Sequence, residues 1–293
     1  MKTGYVALIG RPNVGKSTLL NRLLGQKLSI VSRKPQTTRH RILGIKTTGD
    51  AQILYLDTPG IHQEASRALN RYLNRAAAAA LAGVDVIVWL IDGKGFRGDD
   101  PLVLEKLKAV DVPVILAINK VDKVKDKKAL LPLIDEARQR YPFAEIIPIS
   151  ALRGDNVEAL EQAIIQYLPE GPPIYPPDQI TDKPERFFAA EIIREKLLHY
   201  LGDEVPHRLT VEIEQFREEQ DLITIYAIIW VERESQKPIV IGRKGELLKK
   251  VGQQARLELE EFLGRHVYLN LWVKVKKGWS DDERLLRQLG YAD

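Results

Sequence analysis

The stretch Gly10-Arg-Pro-Asn-Val-Gly15-Lys16-Ser17 matches the phosphate-loop pattern G-x-x-x-x-G-K-[ST]. It lies between an apolar run at residues 5–9 and residues 16–24, whose leucines fall on one face of a helix. A strand, a glycine loop and a helix in this order present backbone N–H groups and a helix N-terminus to an anion. A coincidental glycine turn is a poor alternative in this context. The stretch therefore predicts a nucleotide-binding α/β domain.

The side chains of this loop have separate chemical tasks. Lys16 is expected to neutralise the β- and γ-phosphate oxygens, and the Ser17 hydroxyl is expected to bind Mg²⁺. The nucleotide contacts predicted from this segment are Gly10, Arg11, Pro12, Asn13, Val14, Gly15, Lys16, Ser17 and Thr18.

A second motif, Asn119-Lys120-Val121-Asp122, follows the apolar run at residues 112–118 and indicates which base is bound. The Asp122 carboxylate can accept hydrogen bonds from N1–H and the exocyclic amine of guanine, which adenine does not offer in that arrangement. A site built around such bonds rejects the wrong base strongly. By itself the tetrapeptide could be a surface turn, but the phosphate loop upstream favours GTP over ATP. The predicted base contacts are Asn119, Lys120, Asp122, Ser150, Ala151 and Leu152.

A third element, Asp57-Thr-Pro-Gly60, ends the run at residues 51–56 and places a carboxylate and a glycine N–H near the expected γ-phosphate. A threonine in Gln36-Thr-Thr38-Arg could complete Mg²⁺ coordination only when that phosphate is present. We assign this role to Thr38, although a Thr-Thr pair by itself is an ordinary loop feature. The predicted metal ligands are Ser17, Thr38 and Asp57. The predicted nucleotide contacts of the third element are Asp57, Thr58, Pro59, Gly60 and Ile61.

Ile61 departs from the Ras-type mechanism. An aliphatic side chain cannot orient an attacking water as glutamine does. Hydrolysis must therefore be arranged by other groups, and slow turnover is expected without a partner.

Apolar runs alternate with helical stretches throughout the first 168 residues. The strand candidates are residues 5–9, 51–56, 84–91, 112–118 and 145–149. This alternation predicts an α/β domain whose mostly parallel sheet has helices on both faces.

Composition limits the function classes. The 293 residues, of which 44% are hydrophobic and 29% charged, suit about two globular domains. The chain has no cysteine, which excludes disulfides and thiol chemistry and is compatible with a reducing cytoplasm. The N-terminal apolar run leads into a glycine loop rather than a cleavage site, so we expect no signal peptide. No run approaches the roughly 20 apolar residues of a membrane span.

The proline-rich segment at residues 169–184 is predicted to be a linker, because proline removes backbone donors and disfavours helix before it. The predicted division is a nucleotide-binding domain at 1–168, the linker at 169–184, an α+β domain at 185–277 and a terminal helix at 278–293. Within the second part we predict helices at 185–201 and 245–263, and strands at 209–215, 222–232 and 267–276. A last helix at 281–289 is predicted to be capped by Ser280.

Ile241-Gly242-Arg243-Lys244-Gly245 joins an apolar run to a helix start through G-x-x-G. Its glycines would let a sugar-phosphate backbone approach, and Arg243 and Lys244 would contact phosphates. The motif alone suits a plain turn, but the order helix, strand, strand, helix, strand fits a type II KH domain. Residues 237–277 hold ten Lys and Arg against four Asp and Glu, although residues 181–293 are slightly acidic in total. The predicted RNA contacts are Ile241, Gly242, Arg243, Lys244 and Gly245.

The nucleotide-site elements are five segments at residues 10–18, 36–39, 57–61, 119–122 and 150–152. In order and spacing they resemble those of the translation-factor-related GTPases. The text Gly10-Arg-Pro-Asn-Val-Gly-Lys-Ser-Thr-Leu-Leu-Asn, with Ser32-Arg-Lys-Pro-Gln-Thr-Thr-Arg-His-Arg, is specifically similar to the Era family. Lys183-Pro-Glu-Arg-Phe-Phe extends the resemblance into the second half. The chain is therefore expected to be a P-loop GTPase followed by a type II KH domain.

The resemblance implies a function in ribosome assembly. Era-like proteins bind near the 3′ end of 16S rRNA and act on the small (30S) subunit, with GTP and GDP biasing the domain arrangement. It also implies a cytoplasmic, monomeric protein with peripheral association at the inner membrane. In similar GTPases the phosphate-loop asparagine, here Asn13, helps to hold a K⁺ ion. The expected catalytic groups are Asn13, Lys16, Thr38 and Gly60, with Mg²⁺ and K⁺ as cofactors.

Two other interpretations stay open at this stage. The same GTPase could serve another RNA client, such as tRNA modification, in which case a client-specific cofactor domain is expected. Alternatively, the chain could be an RNA-binding adaptor with little GTP turnover. Multiple-turnover phosphate release separates the adaptor from the enzyme.

Overall fold

A computed structural model describes residues 1–61 and 66–291 of the chain. They form two compact units, of which the first covers most of the chain up to Asp182 and the second begins at Lys183. Two short segments, Ser32–Thr37 and Arg67–Leu69, group with the second unit.

The first unit is built on a six-stranded sheet. Its strands are β1 (Lys2–Ile9), β2 (Ile42–Thr47), β3 (Ala51–Asp57), β4 (Val86–Asp92), β5 (Val114–Asn119) and β6 (Glu145–Pro148). Its helices are α1 (Lys16–Leu24), α2 (Ala68–Ala79), α3 (Asp100–Leu107), α4 (Leu130–Arg140) and α5 (Val157–Tyr167). The strand order is β2-β3-β1-β4-β5-β6. Every neighbouring pair is parallel except β2 and β3.

Helices cover both faces of this sheet. Buried side chains of α2, α3 and α4 join one apolar cluster with the sheet, whereas α1 and α5 contact each other. Right-handed crossovers explain this division, because the chain moves from β1 towards β3 and then reverses towards β4, β5 and β6. The reversal places the carboxyl end of β1 at a topological switch point, where open α/β sheets bind ligands.

Strand β2 is not among the strands predicted from sequence. Gly44 interrupts its apolar pattern, and glycine within a strand ordinarily weakens it. In the structure a Cβ at Gly44 would lie 2.7 Å from Leu24 Cδ1 and 2.9 Å from Leu20 Cδ1. The glycine therefore permits close packing of α1 on β2.

The predicted linker contains no helix or strand, but it is hydrogen-bonded to the first unit. Thr3 N–H donates to Pro169 O over 3.0 Å, and Ile45 N–H donates to Ile180 O over 2.8 Å. Gln52 Oε1 accepts from Ile174 N–H at 2.6 Å. These bonds explain why the first compact unit extends to Asp182 rather than to residue 168.

The second unit combines helices with a three-stranded sheet. Its helices are α6 (Glu185–Tyr200), α7 (Lys237–Ile241), α8 (Glu246–Leu263) and α9 (Glu283–Gln288). Its strands are β7 (Leu209–Glu218), β8 (Leu222–Val231) and β9 (His266–Val275), in the order β7-β8-β9. β7 and β8 are antiparallel, and β8 and β9 are parallel. One apolar cluster fills the space between this sheet and α6 and α8.

Two details differ from the sequence expectation. The apolar run before the G-x-x-G motif forms the short helix α7, whose second residue is Pro238. Proline suits this first turn because it fixes a helical φ where no N–H partner is needed. The last helix is capped by Asp282, whose carboxylate accepts from the N–H groups of Arg284 and Leu285. The predicted cap by Ser280 is wrong, because the Ser280 hydroxyl donates instead to the buried Glu232 carboxylate.

Within residues 1–61 and 66–291, no helix is both long and apolar enough to cross a bilayer.

Candidate functional site

The phosphate loop follows β1 and leads directly into α1. Gly15 adopts φ 109°, and a Cβ there would overlap the Asn119 amide nitrogen. The Asn119 amide also donates to Val14 O over 2.8 Å. A residue of the base motif therefore holds the phosphate loop in place. The structure thus brings together two motifs that lie about a hundred residues apart in sequence.

Lys16 is held inside the loop. Its Nζ donates to the carbonyl oxygens of Gly10 at 3.0 Å and Arg11 at 2.9 Å, and its side chain is almost fully buried. Burial lowers the pKa of Lys16 to about 8, while the nearby Asp57 carboxylate opposes that shift. Anionic phosphates would favour the charged form of this ammonium group.

The three predicted metal ligands lie together. Ser17 Oγ donates to Asp57 Oδ2 over 2.7 Å and lies 2.9 Å from Thr38 Oγ1. Neighbouring ligands of an octahedral Mg²⁺ at 2.0–2.1 Å are about 2.9 Å apart, so these spacings suit one ion. All three supply the hard oxygen donors that Mg²⁺ prefers.

Asp57 has an unsatisfied oxygen at this site. The residue is fully buried, and its Oδ2 accepts from Ser17 and from Ser29 at 2.8 Å. Among the described residues, Oδ1 has no hydrogen-bond partner. Burial raises the pKa of Asp57, and the Ser17 hydroxyl and Lys16 ammonium oppose that rise. A cation would satisfy the free oxygen and hold the carboxylate ionised.

The segment after Asp57 packs on the phosphate loop. A Cβ at Gly60 would lie 2.7 Å from Pro12 Cγ, so glycine is needed for this close approach. Thr58 Oγ1 donates to Leu8 O over 3.0 Å and fixes the turn to β1. Ile61 is 2% exposed and belongs to the apolar core. Its side chain therefore does not face a nucleophilic water.

The base motif is pre-arranged by hydrogen bonds. Ser150 Oγ donates to Asp122 Oδ1 over 2.8 Å, and Asn119 Oδ1 accepts from Ala151 N–H over 3.0 Å. Lys120, at φ 65°, donates from Nζ to Asn13 O over 2.6 Å. Leu152 is largely exposed beside this group. The two segments predicted to contact the base therefore converge, and Lys120 ties them to the phosphate loop.

Two carboxylates beside the loop, Asp92 and Asp100, were not predicted from sequence. Asp92 ends β4 directly beside Asn119 of β5 and lies 3.7 Å from Lys120 Nζ. Arg11 lies 4.0 Å from Asp92 and 3.6 Å from the buried Asp100. Although burial opposes it, hydrogen bonding by Lys94 N–H and the nearby cations lower the pKa of Asp92. Its position at a carboxyl strand end is the signal that could have identified it.

The G-x-x-G motif joins α7 to α8 in the second unit. Gly242 (φ 78°) and Gly245 (φ 78°) adopt conformations that disfavour other residues, and Lys244 is also left-handed at φ 50°. A Cβ at Gly242 would lie 2.5 Å from Leu247 Cβ. Arg243 and Lys244 are exposed at the tip of the turn. The turn thus presents two cations beside the N-terminus of α8.

A groove of about 490 Å³ lies beside this turn, between α8 and β9. Its lining combines apolar and cationic residues: Gly245, Leu248, Lys249, Gly252, Gln253, Arg256, Leu269, Asn270 and Leu271. Apart from Gly245, these residues were not predicted individually, because the groove depends on how a helix packs beside an edge strand. Such a lining suits unstacked bases and a phosphate backbone.

Fold and site together define a P-loop GTPase joined to a KH domain. Residues 5–120 match the family model described as "50S ribosome-binding GTPase", and residues 204–280 match the KH domain model. Curated relatives include GTPase Era of Ectopseudomonas mendocina, at 55% identity over 100% of this chain and 98% of the relative. GTPase Era of Coxiella burnetii is 56% identical over 99% of this chain and 98% of the relative.

Two solved structures agree over the full length of both chains. A variant of Aquifex aeolicus Era bound to GDP and AlF₄⁻ has 47% identity and a TM-score of 0.97. Era in complex with MgGDPNP and nucleotides 1506–1542 of 16S ribosomal RNA gives the same two values. The chain belongs to the Era family of GTPases, so the predicted fold class and GTP-hydrolysing activity are confirmed.

Proposed function

We propose that this chain is a GTP-driven switch that binds the 3′ region of 16S rRNA and acts in small-subunit assembly. The observation that supports this proposal most strongly is that one chain contains both an assembled GTP site and an exposed basic turn beside a groove. The relative solved with 16S rRNA nucleotides 1506–1542, at 47% identity, supports this choice of RNA.

On the nucleotide side, Ser17, Asp57 and Thr38 hold Mg²⁺, which neutralises charge on the β- and γ-phosphates. Lys16 binds the same phosphates, and Asp122 accepts from the guanine edge. The Gly60 N–H would sense the third phosphate. Thr38 and Gly60 therefore distinguish GTP from GDP, and their ordering would couple the nucleotide to the rest of the chain.

In this proposal Asn13 would help to hold a K⁺ ion at the phosphate loop. Asn13 adopts φ 61° within the loop, and the Ile61 side chain is buried in the apolar core. A cation at this position would supply the charge that an arginine finger provides in other GTPases.

The K⁺ role gives a direct prediction. Turnover in KCl should exceed turnover in NaCl by about tenfold or more, since a charge at this position is worth up to several powers of ten. Asn13→Ala should remove the difference between the salts while leaving GDP affinity nearly unchanged. Malachite-green phosphate release in matched buffers measures it. Equal rates in the two salts would refute the role.

On the RNA side, Arg243 and Lys244 contact phosphates, and the groove receives unpaired bases. The two glycines, which adopt positive φ and carry no Cβ, allow the sugar-phosphate backbone to approach the helix N-terminus. Cytoplasmic location, peripheral membrane contact, binding to the whole small subunit and a monomeric state follow from family resemblance and stay predictions.

The proposal is tested by GTP turnover with and without a 3′-terminal 16S rRNA segment. We expect the RNA to raise turnover, and Arg243→Ala with Lys244→Ala to weaken RNA binding. The salt slope of binding should fall by about one for each phosphate contact removed. Gly242→Asp should abolish stimulation, because its side chain would collide with Leu247.

Arg284→Ala with Arg287→Ala is the matched control, since it removes the same charge from exposed positions on α9. This control should retain both RNA affinity and stimulation. If neither the RNA nor either pair of substitutions changes GTP turnover, the chain acts on a different RNA.

A further inference from the structure

The outer face of β9 carries two large exposed aromatic side chains. Tyr268 is 49% exposed and Trp272 is 54% exposed. Successive residues of a strand point to opposite faces, and Leu269 and Leu271 between them pack against the core. Tyr268 and Trp272 therefore share the face that turns away from the core. Large apolar side chains exposed together on one face, rather than singly, point to a binding function.

The neighbouring strand continues this aromatic face. The register pairs Thr224 with Tyr268 and Trp230 with Lys274, so these residues lie on the same side. The Tyr226 and Tyr268 rings are 6.2 Å apart and tilted by 58°. The face is thus a row of rings rather than one isolated side chain.

Cations border the rings at the end of β9. Lys274 is exposed on the same face as Trp272, and Lys276 Nζ lies 4.4 Å from the centre of the Trp230 ring. Glu212, across the sheet on β7, accepts a hydrogen bond from Trp230 Nε1 over 2.6 Å. The face therefore offers positive charge next to Trp272, which complements a phosphate backbone.

The face is continuous with the candidate RNA groove. Leu269 and Leu271 line the groove on one side of β9, and Tyr268 and Trp272 stand on the other. β9 is an edge strand, so no further strand separates the two surfaces. An RNA strand that leaves the groove can pass over this edge.

We infer that the outer face of β9 is a second binding site for single-stranded RNA, and this rests on the proposed RNA-binding function. Tyr268 and Trp272 each stack on one unpaired base, and Lys274 contacts a phosphate. Four residues of strand separate the two rings by about 13 Å, so each ring takes its own base. Sheets that bind RNA through exposed aromatic side chains work in this way.

The test uses the full chain and two single-stranded RNAs from the 3′-terminal 16S segment. One of about four nucleotides fills the groove only, and one of about twelve reaches the outer face. Tyr268→Ala with Trp272→Ala should weaken the longer RNA about tenfold to a hundredfold, since stacking contributes strongly per base. The shorter RNA should bind unchanged. Tyr268→Phe with Trp272→Phe keeps an aromatic ring at both positions and is the matched control, and fluorescence anisotropy measures all of the affinities.

Tryptophan fluorescence gives a second readout that a purely structural role would not move. Trp89 and Trp279 are fully buried and Trp230 is partly buried, so Trp272 is the most exposed tryptophan of the described residues. The longer RNA should quench its emission, and Trp272→Phe should remove that quenching.

Unchanged affinity of the double alanine variant for the longer RNA, without quenching in the native chain, would overturn the inference and favour a protein partner for this face. If the native chain binds neither RNA, the proposed function fails as well. If the longer RNA binds no more tightly than the shorter one, and Gly242→Asp abolishes binding of both, the proposed function stands and the second site is rejected.

Discussion

Asp122→Asn is expected to lower GTP affinity by about a hundredfold or more and to create affinity for xanthosine triphosphate. The carboxylate accepts from two guanine donors, whereas an amide would turn its NH₂ group towards one of them. Leaving such groups unpaired in the site costs the full desolvation of each. Xanthine has a carbonyl where guanine has its amine, so the asparagine NH₂ group can donate to it.

The local structure should survive this substitution. Ser150 Oγ donates to Asp122 Oδ1 over 2.8 Å, and the asparagine carbonyl can accept the same bond. Titration with fluorescent guanosine and xanthosine nucleotides measures both affinities. Asp126→Asn is the matched control, because Asp126 caps the following turn through Lys128 N–H and is exposed. Equal GTP affinity in the native chain and the Asp122 variant would contradict the assignment of the base site.

The parts of the site that sequence could predict are those carried by backbone geometry. Gly15 and Lys16 follow a strand and begin a helix, and the structure places them where this order requires. The base motif is also placed by a strand end, because Asn119 is the last residue of β5. Parallel strands bring their carboxyl ends to one edge, so the convergence of these motifs follows from the topology.

Features that depend on packing between distant residues were not predictable in the same way. β2 contains Gly44, whose role is clear only once Leu20 and Leu24 of α1 are seen against it. Asp282, and not Ser280, caps the last helix, because the Ser280 hydroxyl donates a hydrogen bond to Glu232, which is far away in sequence. The RNA groove is likewise defined by two elements that no local pattern joins.

Lys274 and Lys276 alternate with valines, and from sequence alone this pattern suits RNA contact and a solvated strand face equally well. The structure separates the two lysines. Lys276 lies against the Trp230 ring, whereas Lys274 is exposed beside Trp272. Only Lys274 is therefore proposed to contact an RNA phosphate directly.

Ser17→Ala and Thr38→Ala are expected to differ in which nucleotide they affect. Ser17 would bind Mg²⁺ with either nucleotide, so its loss should weaken Mg²⁺ binding with both GDP and GTP. Loss of a direct ligand should exceed the roughly 10–100-fold effect of losing an outer partner. Thr38 would bind the ion only when the third phosphate is present. Thr38→Ala should therefore lower GTP turnover and leave Mg²⁺-dependent GDP affinity nearly unchanged.

Ser29→Ala is the matched control for both substitutions. Ser29 donates to the same Asp57 oxygen as Ser17, but it is buried and not one of the proposed ligands. Its loss should reduce thermal stability by about the value of one buried hydrogen bond to a charged group, with a smaller change in Mg²⁺ affinity. Mg²⁺ titrations of GDP release and of single-turnover GTP hydrolysis measure all three variants. If Thr38→Ala weakens GDP binding as much as Ser17→Ala, Thr38 supports the loop and does not sense the third phosphate.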